Sequence, residues 1–390
     1  MRLVLLLSTL AACSGSDAPP ATPSDADTGT FDTNVPADTE ADAGCAPLAR
    51  SSIDPNGTAL TIAGDLGSTQ GIFDPSIAGD AMSYSAVPTQ DAIFTRIAAT
   101  TNNGETWTYV ADANAPIPIT APSTDKECTS CTGRLIHEVS ALVVDPSDVP
   151  AERYKLFVHS YFAFPGTSPV KLRYDWGYIG VQTAPEPKGP WSPAEKRVGW
   201  SSSMPVVSVD GTSQRLTDLP DLAKCVAFTE PSALATPSGI ELAVGCVELA
   251  ATPTIRVVLL RSKDHGKTFA LVGTLLRPTD GACAGGAVPQ VNAAHLFEVS
   301  GKPYVIASPA GPVPPGFNGY NGCAVYEIED LVTARIRRHA DGTPVIARVI
   351  DAKGGFAGAC AYAGGSYYVS AIASFSPTAF RIFRSSVAAP

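Results

Sequence analysis

Five stretches of this chain carry one pattern, and that recurrence limits the fold more than any other feature. Each opens near a polar or acidic residue, runs into a strand-like segment, turns at Gly or Asp and returns as a second strand. The stretches are FDPSIAGDAMSYSAV from Phe73, HEVSALVVDPSDVPAERYKLFVHSYF from His137, FTEPSALATPSGIELAVG from Phe228, PQVNAAHLFEVSGKPYVIAS from Pro289 and GACAYAGGSYYVSAIAS from Gly358. With Asp74, Glu138, Glu230, Gln290 and Ala359 taken as equivalent, the units run roughly 60 to 90 residues, which suits a four-stranded propeller blade with decorated loops.

The other segments agree. AIFTRIAAT, YIGVQT, TIRVVLLRS, PVIARVI and AFRIFRSS alternate or are β-branched, and 34 Gly and 34 Pro punctuate them as tight turns between short strands would. Only DLVTARIRRH hints at helix. The expected class is all-β, a propeller of five blades with four antiparallel strands each. A ring of six blades is the alternative. Residues 45–390 form this one domain.

The stretch SKDHGKTF places Ser262, Asp264, Gly266 and Thr268 at alternate positions and ends on Phe269. A looser copy, TTNNGETW, repeats it with Thr100, Asn102, Gly104, Thr106 and Trp107. One carboxylate cannot supply the six to eight oxygens of a calcium loop. Both copies resemble the Asp-box of sialidase-type propellers. In that motif the polar side chains bond the backbone of a strand-joining turn, glycine permits positive φ and the aromatic packs in the blade. The likeness to sialidases ends there, because no Arg-Ile-Pro occurs.

FDPSIAGDAMSYSAV is similar to the first-blade segment of the five-bladed glycoside hydrolases typified by arabinanases and β-xylosidases, and APEPKGPWS resembles their blade-edge turn. That resemblance implies one carboxylate on the inner strand of each of the first three blades: Asp74 as general base, Glu138 orienting, Glu230 as general acid. Units four and five offer only Gln290, Asn292 and Ala359. The second acid is Glu where the family has Asp, and Thr-Glu-Pro-Ser replaces Glu-Gly-Pro. Inverting cleavage would hold base and acid about 6.5–9.5 Å apart. The plain structural alternative is that each acid caps a turn through Asp-Pro-Ser or Glu-Pro-Ser geometry.

Trp176 and Tyr178 in KLRYDWGYIG could stack on a sugar, with Arg134 as a further substrate contact; alternate aromatics also serve as blade packing. The five histidines never take metal-ligand spacing, so no metal or cofactor is expected from the residues. The resemblance alone allows a calcium ion in the central channel beside His295. The motifs of serine hydrolases, nucleotide sites and zincins are absent from the sequence.

The first residues, MRLVLLLSTLAAC, carry one basic residue and a short apolar run, and Leu10-Ala11-Ala12-Cys13 resembles a bacterial lipobox. Residues 1–12 then read as a signal peptide, with Cys13 as the lipidated N-terminus and outer-membrane sorting implied by Ser14. Residues 13–44 read as an acidic tether, too polar to offset its ordering entropy. Without its seven acids and Arg2, the charge is −4 rather than −10. The domain carries no basic field, which argues against nucleic acid; the resemblance implies carbohydrate or a cell-surface polymer as the partner of a monomer. Two functions follow: a surface-anchored glycoside hydrolase, or a non-catalytic propeller that binds glycan or protein.

Beyond Cys13, eight cysteines suggest disulfides in an exported chain. The expected pairs are Cys225 with Cys246 bracing a hairpin, Cys45 with Cys360 tying the ends, and Cys128 with Cys131 within a loop.

Overall fold

The computed structural model describes residues 45, 48–53, 58–89, 91–120, 132–164, 171–194, 196–200, 216–249, 253–313, 317–351, 356–375 and 378–385. Cys13, the tether, and Cys128 and Cys131 therefore lie outside the described residues. Within them the chain is nearly all strand, with three short 3-10 turns. The stretch expected as helix, 330–339, is instead a turn followed by the two-residue strand Arg335–Ile336.

The strands form five sheets. The first consists of Ile72–Ala78, Ala81–Ala86, Phe94–Ala99 and Trp107–Asp112, with Ile62–Ala63 added in parallel at its edge. Thr132–Val144, Tyr154–Phe164, Lys171–Ala184 and Lys196–Trp200 make the second, where Ile117–Thr120 pairs on the other side of Thr132–Val144. The third runs Cys225–Thr236, Gly239–Glu248, Thr254–Ser262 and Ala270–Leu276. In the fourth, Val291–Val299, Lys302–Val313, Cys323–Asp330 and Ile346–Asp351 are followed by Arg50–Ser52, which joins in parallel. Ala357–Ala363, Ser366–Phe375 and Thr378–Ser385 make the fifth.

The first long strand of each sheet touches its counterpart in the next, and Ala357–Ala363 of the fifth touches Ile72–Ala78 of the first. The ring is closed, in the manner of a β-propeller. Its core lies in the seams. Ala81 and Ile97 meet Leu142 and Leu156; Phe157 and Ile179 meet Leu242 and Val258. Val257 and Leu259 meet Leu296 and Val305, and Ile306 and Val325 meet Val369. Met82 and Tyr84 meet Tyr368 and Ile382 at the last seam. Strands such as TIRVVLLRS are apolar on both faces because both faces are covered.

The N-terminal segment seals the ring. Arg50–Ser52 edges the fourth sheet. The Leu60 N–H then donates to the Ile382 carbonyl at 2.7 Å, and the Phe380 N–H donates to Gln70 O at 2.8 Å, on the outer strand of the fifth. Cys45 bonds to Cys283, beside the start of the fourth sheet, and Cys323 bonds to Cys360 across the seam between the fourth and fifth. The expected Cys45–Cys360 pair is thus wrong: Cys360 faces the fourth sheet, and the segment after Cys45 enters that sheet rather than the fifth. Cys225 with Cys246 does brace the first hairpin of the third sheet.

SKDHGKTF is the turn after Thr254–Ser262. Ser262 Oγ accepts from the Gly266 N–H at 2.7 Å, and Asp264 Oδ1 accepts from the Thr268 N–H at 2.9 Å. In TTNNGETW, Thr100 Oγ1 and Asn102 Oδ1 make the same two bonds, to Gly104 at 3.1 Å and Thr106 at 3.0 Å. Gly266 has φ +86°, and a Cβ there would lie 2.8 Å from the Phe157 ring. The closing aromatics pack edge-on against the preceding sheet: Phe269 on Phe157 and Trp107 on Tyr368.

Candidate active site

One non-glycine residue on the first long strand of every sheet has positive φ: Asp74 at 51°, Val139 at 47°, Glu230 at 50°, Ala293 at 51° and Ala359 at 49°. Each sits in a β-bulge, where the register with the neighbouring strand shifts. Left-handed backbone is costly for such residues, and for β-branched Val139 most of all. Five repeats of it, two of them on alanine, make it a property of the ring. Chemistry enters only where the left-handed or adjacent residue is acidic.

Serines from neighbouring sheets hold these bulges. Ser370 Oγ accepts from the Asp74 N–H at 2.8 Å, Ser85 Oγ from Val139 N–H at 3.0 Å, and Ser308 Oγ from Ala359 N–H at 3.0 Å. At the matching register position the third sheet has Gly245, where a Cβ would meet Asn292 Oδ1 at 2.1 Å. There the Ala293 N–H donates to the Glu230 carboxylate instead. The serines of Asp74-Pro75-Ser76 and Glu230-Pro231-Ser232 also bind the next sheet, accepting from Leu142 N–H at 3.0 Å and Leu296 N–H at 2.8 Å.

This pattern corrects two of the sequence equivalences. In the second sheet the counterpart of Asp74 is Val139, and Glu138 stands one residue earlier, in the register place of Phe73. In the fourth sheet the counterpart is Ala293, three residues past Gln290. The bulge fixes the register, and its position follows the inter-sheet bonds rather than the local sequence.

Asp74, Glu138 and Glu230 nevertheless line one cavity. Its remaining wall is largely apolar, with Phe73, Tyr320, Phe356, Ile372 and Phe380 prominent. All three acids are buried, at 7%, 1% and 2% exposure, too low for freely solvated carboxylates. Burial raises each of their pKa values. It takes Glu230 to about 8, against the lowering effect of hydrogen bonds from Tyr320 Oη and the Ala293 N–H. Asp74 is raised well above the usual carboxylate range by burial and then by the Glu230 charge. Glu138 is raised likewise by burial, then by Asp74 and Glu230. Among the described residues Glu138 Oε1 and Glu230 Oε2 have no hydrogen-bond partner.

Tyr320 carries no motif in the sequence, yet its hydroxyl donates to Glu230 Oε1 and accepts from Asn292 Nδ2 at 3.1 Å. It ends the strand Phe317–Tyr320, which pairs with the end of Lys302–Val313. The weaker substrate contacts fall elsewhere. Tyr178 is buried against Leu135 and does not line the cavity, because Lys171–Ala184 is a strand removed from the ring's inner strands. Arg134 is half-exposed and pairs with Asp91 at 3.7 Å, also outside the cavity lining. The Trp176 side chain lies outside the described residues.

A second cavity lies between the inner strands and includes Asp74, Ser76, Ser140, Ser232 and His295. Burial pushes the His295 pKa down to about 4, so the ring is neutral near pH 7. These side chains do not fit a calcium ion: one carboxylate faces the space, while the Ser76 and Ser232 oxygens already accept backbone N–H groups. Among the described residues, Asp145, Asp148 and His265 cluster elsewhere, but Lys155 and His265 already occupy the two carboxylates.

No protein-family model matches the chain, and no curated protein sequence is similar to it. Among solved structures, a Bacillus subtilis arabinanase is 12% identical, with 84% of this chain and 96% of that one covered and a TM-score of 0.46. A family 117 glycoside hydrolase of Zobellia galactanivorans is 14% identical, with 84% and 88% covered and a TM-score of 0.44. A Bombyx mori GH32 β-fructofuranosidase is 13% identical at a TM-score of 0.45; the match covers 77% of this chain and 55% of that one, about half its length.

Proposed function

We propose that this chain is a surface-anchored, five-bladed glycoside hydrolase that cleaves with inversion. The observation that carries this reading is the meeting of three buried carboxylates from three sheets in one cavity, with Glu230 held protonated at neutral pH. Glycoside cleavage needs a proton donor at the leaving oxygen and a carboxylate that activates water on the other face of the sugar. Glu230, with a pKa raised to about 8, is the donor. Asp74 is assigned as the base; burial, the larger cause of its raised pKa, remains when Glu230 keeps its proton, so Asp74 acts in the fraction of molecules in which it is ionised. Glu138, buried beside both with a raised pKa, completes the acidic group. The two polar turns act as Asp-boxes, bracing the ring away from the cavity, and Cys13 supplies the lipid anchor to the outer membrane.

The test is a panel of pentosides, hexosides and oligosaccharides with the wild type, Asp74→Asn and Glu230→Gln, following product anomers by NMR. Loss of general acid–base catalysis costs about 10²–10⁴-fold. Glu230→Gln is expected to spare glycosides with good leaving groups, which need no proton, whereas Asp74→Asn spares none. Cleavage unchanged in both variants removes the assignment. Membrane fractionation of wild type and Cys13→Ala checks the anchor.

The apolar cavity wall favours a second reading: a propeller that binds its ligand without cleaving it. Saturable glycan binding by the wild type with no turnover on the panel selects that reading.

A further inference from the structure

We propose that Tyr320, rather than Glu138, positions the acid, fixing one oxygen of Glu230 and leaving Oε2 to carry the proton toward the glycosidic oxygen. This rests on the hydrolase reading and names a residue that the resemblance did not supply. The Tyr320 hydroxyl donates to Glu230 Oε1 and accepts from Asn292 Nδ2 at 3.1 Å, so its single proton is directed at the carboxylate. Asn292 is itself held by Thr229, whose Oγ1 lies 3.3 Å from its amide. A chain of contacts thus runs from the third sheet through the fourth and back to the acid.

The tyrosine ring is clamped as well. Phe356 packs on it with ring centres 5.6 Å apart, and a Cβ at Gly358 would lie 2.5 Å from Tyr320 Cβ. The fifth sheet leaves that position bare, and the ring fills it. The Ala293 N–H supplies a second donor to the Glu230 carboxylate. Glu230 Oε2 has no partner among the described residues. No hydrogen bond joins Glu138 to Glu230 among the described residues, and the causes of the Glu230 shift are burial, Tyr320 and Ala293, without Glu138. The titratable groups facing Glu230 are Asp74 from the first sheet, Glu138 from the second and Tyr320 from the fourth; the fifth contributes uncharged lining.

In the reaction, the proton on Glu230 Oε2 passes to the leaving oxygen as the bond from C1 to that oxygen breaks. Water forms the new bond to C1 and gives its proton to Asp74. The Glu230 carboxylate left behind is received by the Tyr320 and Ala293 donors. Asp74 then releases a proton to solvent and Glu230 takes one up, so hydrolysis balances.

The experiment titrates Glu230 directly, by carboxyl-carbon NMR of protein labelled at glutamate Cδ, with Glu230→Gln to assign the signal. Tyr320→Phe removes a donor to the charged form and is expected to raise the Glu230 midpoint by about one pH unit. Asn292→Ala, which loosens the same hydroxyl, is expected to raise it less. Glu138→Gln, which touches no hydrogen bond to Glu230, is expected to leave the midpoint in place. An unmoved midpoint in both Tyr320→Phe and Asn292→Ala overturns the proposal, as does a larger shift from Glu138→Gln than from Tyr320→Phe. This readout needs no substrate. An inactive protein with a shifting midpoint sinks the hydrolase reading and keeps the Tyr320 contact; an active one with a fixed midpoint does the reverse.

Discussion

Asp74 and Glu230 share one backbone conformation, with φ of 51° and 50°, on the inner strands of two different sheets, and burial, followed by the charge of Glu230, raises the pKa of Asp74. Each precedes a proline and a serine, and each serine accepts from a backbone N–H of the next sheet. The same short motif therefore does two jobs. Its serine locks the ring, and its acid, turned inward by the bulge, faces the cavity.

A pH dependence of stability follows. Glu230 binds its proton more tightly in the fold, at about 8, than at its ordinary 4.5. Its contribution is fully present below pH 4.5 and is lost as pH rises through 8. Asp74 and Glu138 shift in the same direction. Urea unfolding of the wild type should show stability falling between pH 5 and 9, by on the order of a few kcal/mol. In Glu230→Gln the fall should be shallower, and the variant should exceed wild type in stability above pH 8. Parallel curves for the two proteins would show that Glu230 titrates as an ordinary glutamate.

Ser370 tests the coupling between ring and site. Ser370→Ala leaves the buried Asp74 N–H without its acceptor, a loss of about 1–3 kcal/mol in unfolding free energy. Because the bulge places the Asp74 carboxylate, kcat should fall as well. Ser308→Ala removes the matching bond to Ala359, where no acid sits, and should cost similar stability with a smaller change in kcat. Equal kinetic effects in the two variants would separate the seam from the site.

The strands and the closed ring were legible because burial on both faces leaves apolar runs, and the turns show as Gly and Pro between them. Asp74 and Glu230 were legible through Pro-Ser, a local signature. Glu138 was only half so: its neighbours suggest the Asp74 position, but the bulge falls on Val139, set by a bond to Ser85 some 54 residues away. Tyr320 was invisible, since its partners Asn292 and Glu230 come from other strands and no spacing marks it. The pairing of Cys45 likewise depends on which sheet the N-terminal segment joins, and composition does not encode that. In the sequence Asn292 reads only as a non-acidic residue; its hold on Tyr320 depends on contacts between strands.

The turn at SKDHGKTF should behave as a brace. Asp264→Ala removes the acceptor for the Thr268 N–H and should lower stability by about 1 kcal/mol. Gly266→Ala should cost more, since its Cβ would lie 2.8 Å from the Phe157 ring at a φ of +86°. Thermal melts give the order, and glycoside turnover below the melting range should match wild type for both. A kinetic loss in Asp264→Ala without a change in melting would assign the turn to the site.

The Cys45–Cys283 bond should hold the N-terminal strand to the ring. It spans 238 residues of sequence and anchors the segment that enters the edge of the fourth sheet at Arg50–Ser52. Removing a native disulfide typically costs about 2–5 kcal/mol. Paired substitution of both cysteines by serine should raise amide exchange at Arg50–Ser52 and at the outer contacts of Leu60 and Phe380, where the same segment continues onto the fifth sheet. Exchange at Val257–Leu260, in the middle of the third sheet, should change only as far as global stability does. Protection at Arg50–Ser52 equal to wild type would mean that pairing with Ile346–Asp351 alone retains the strand.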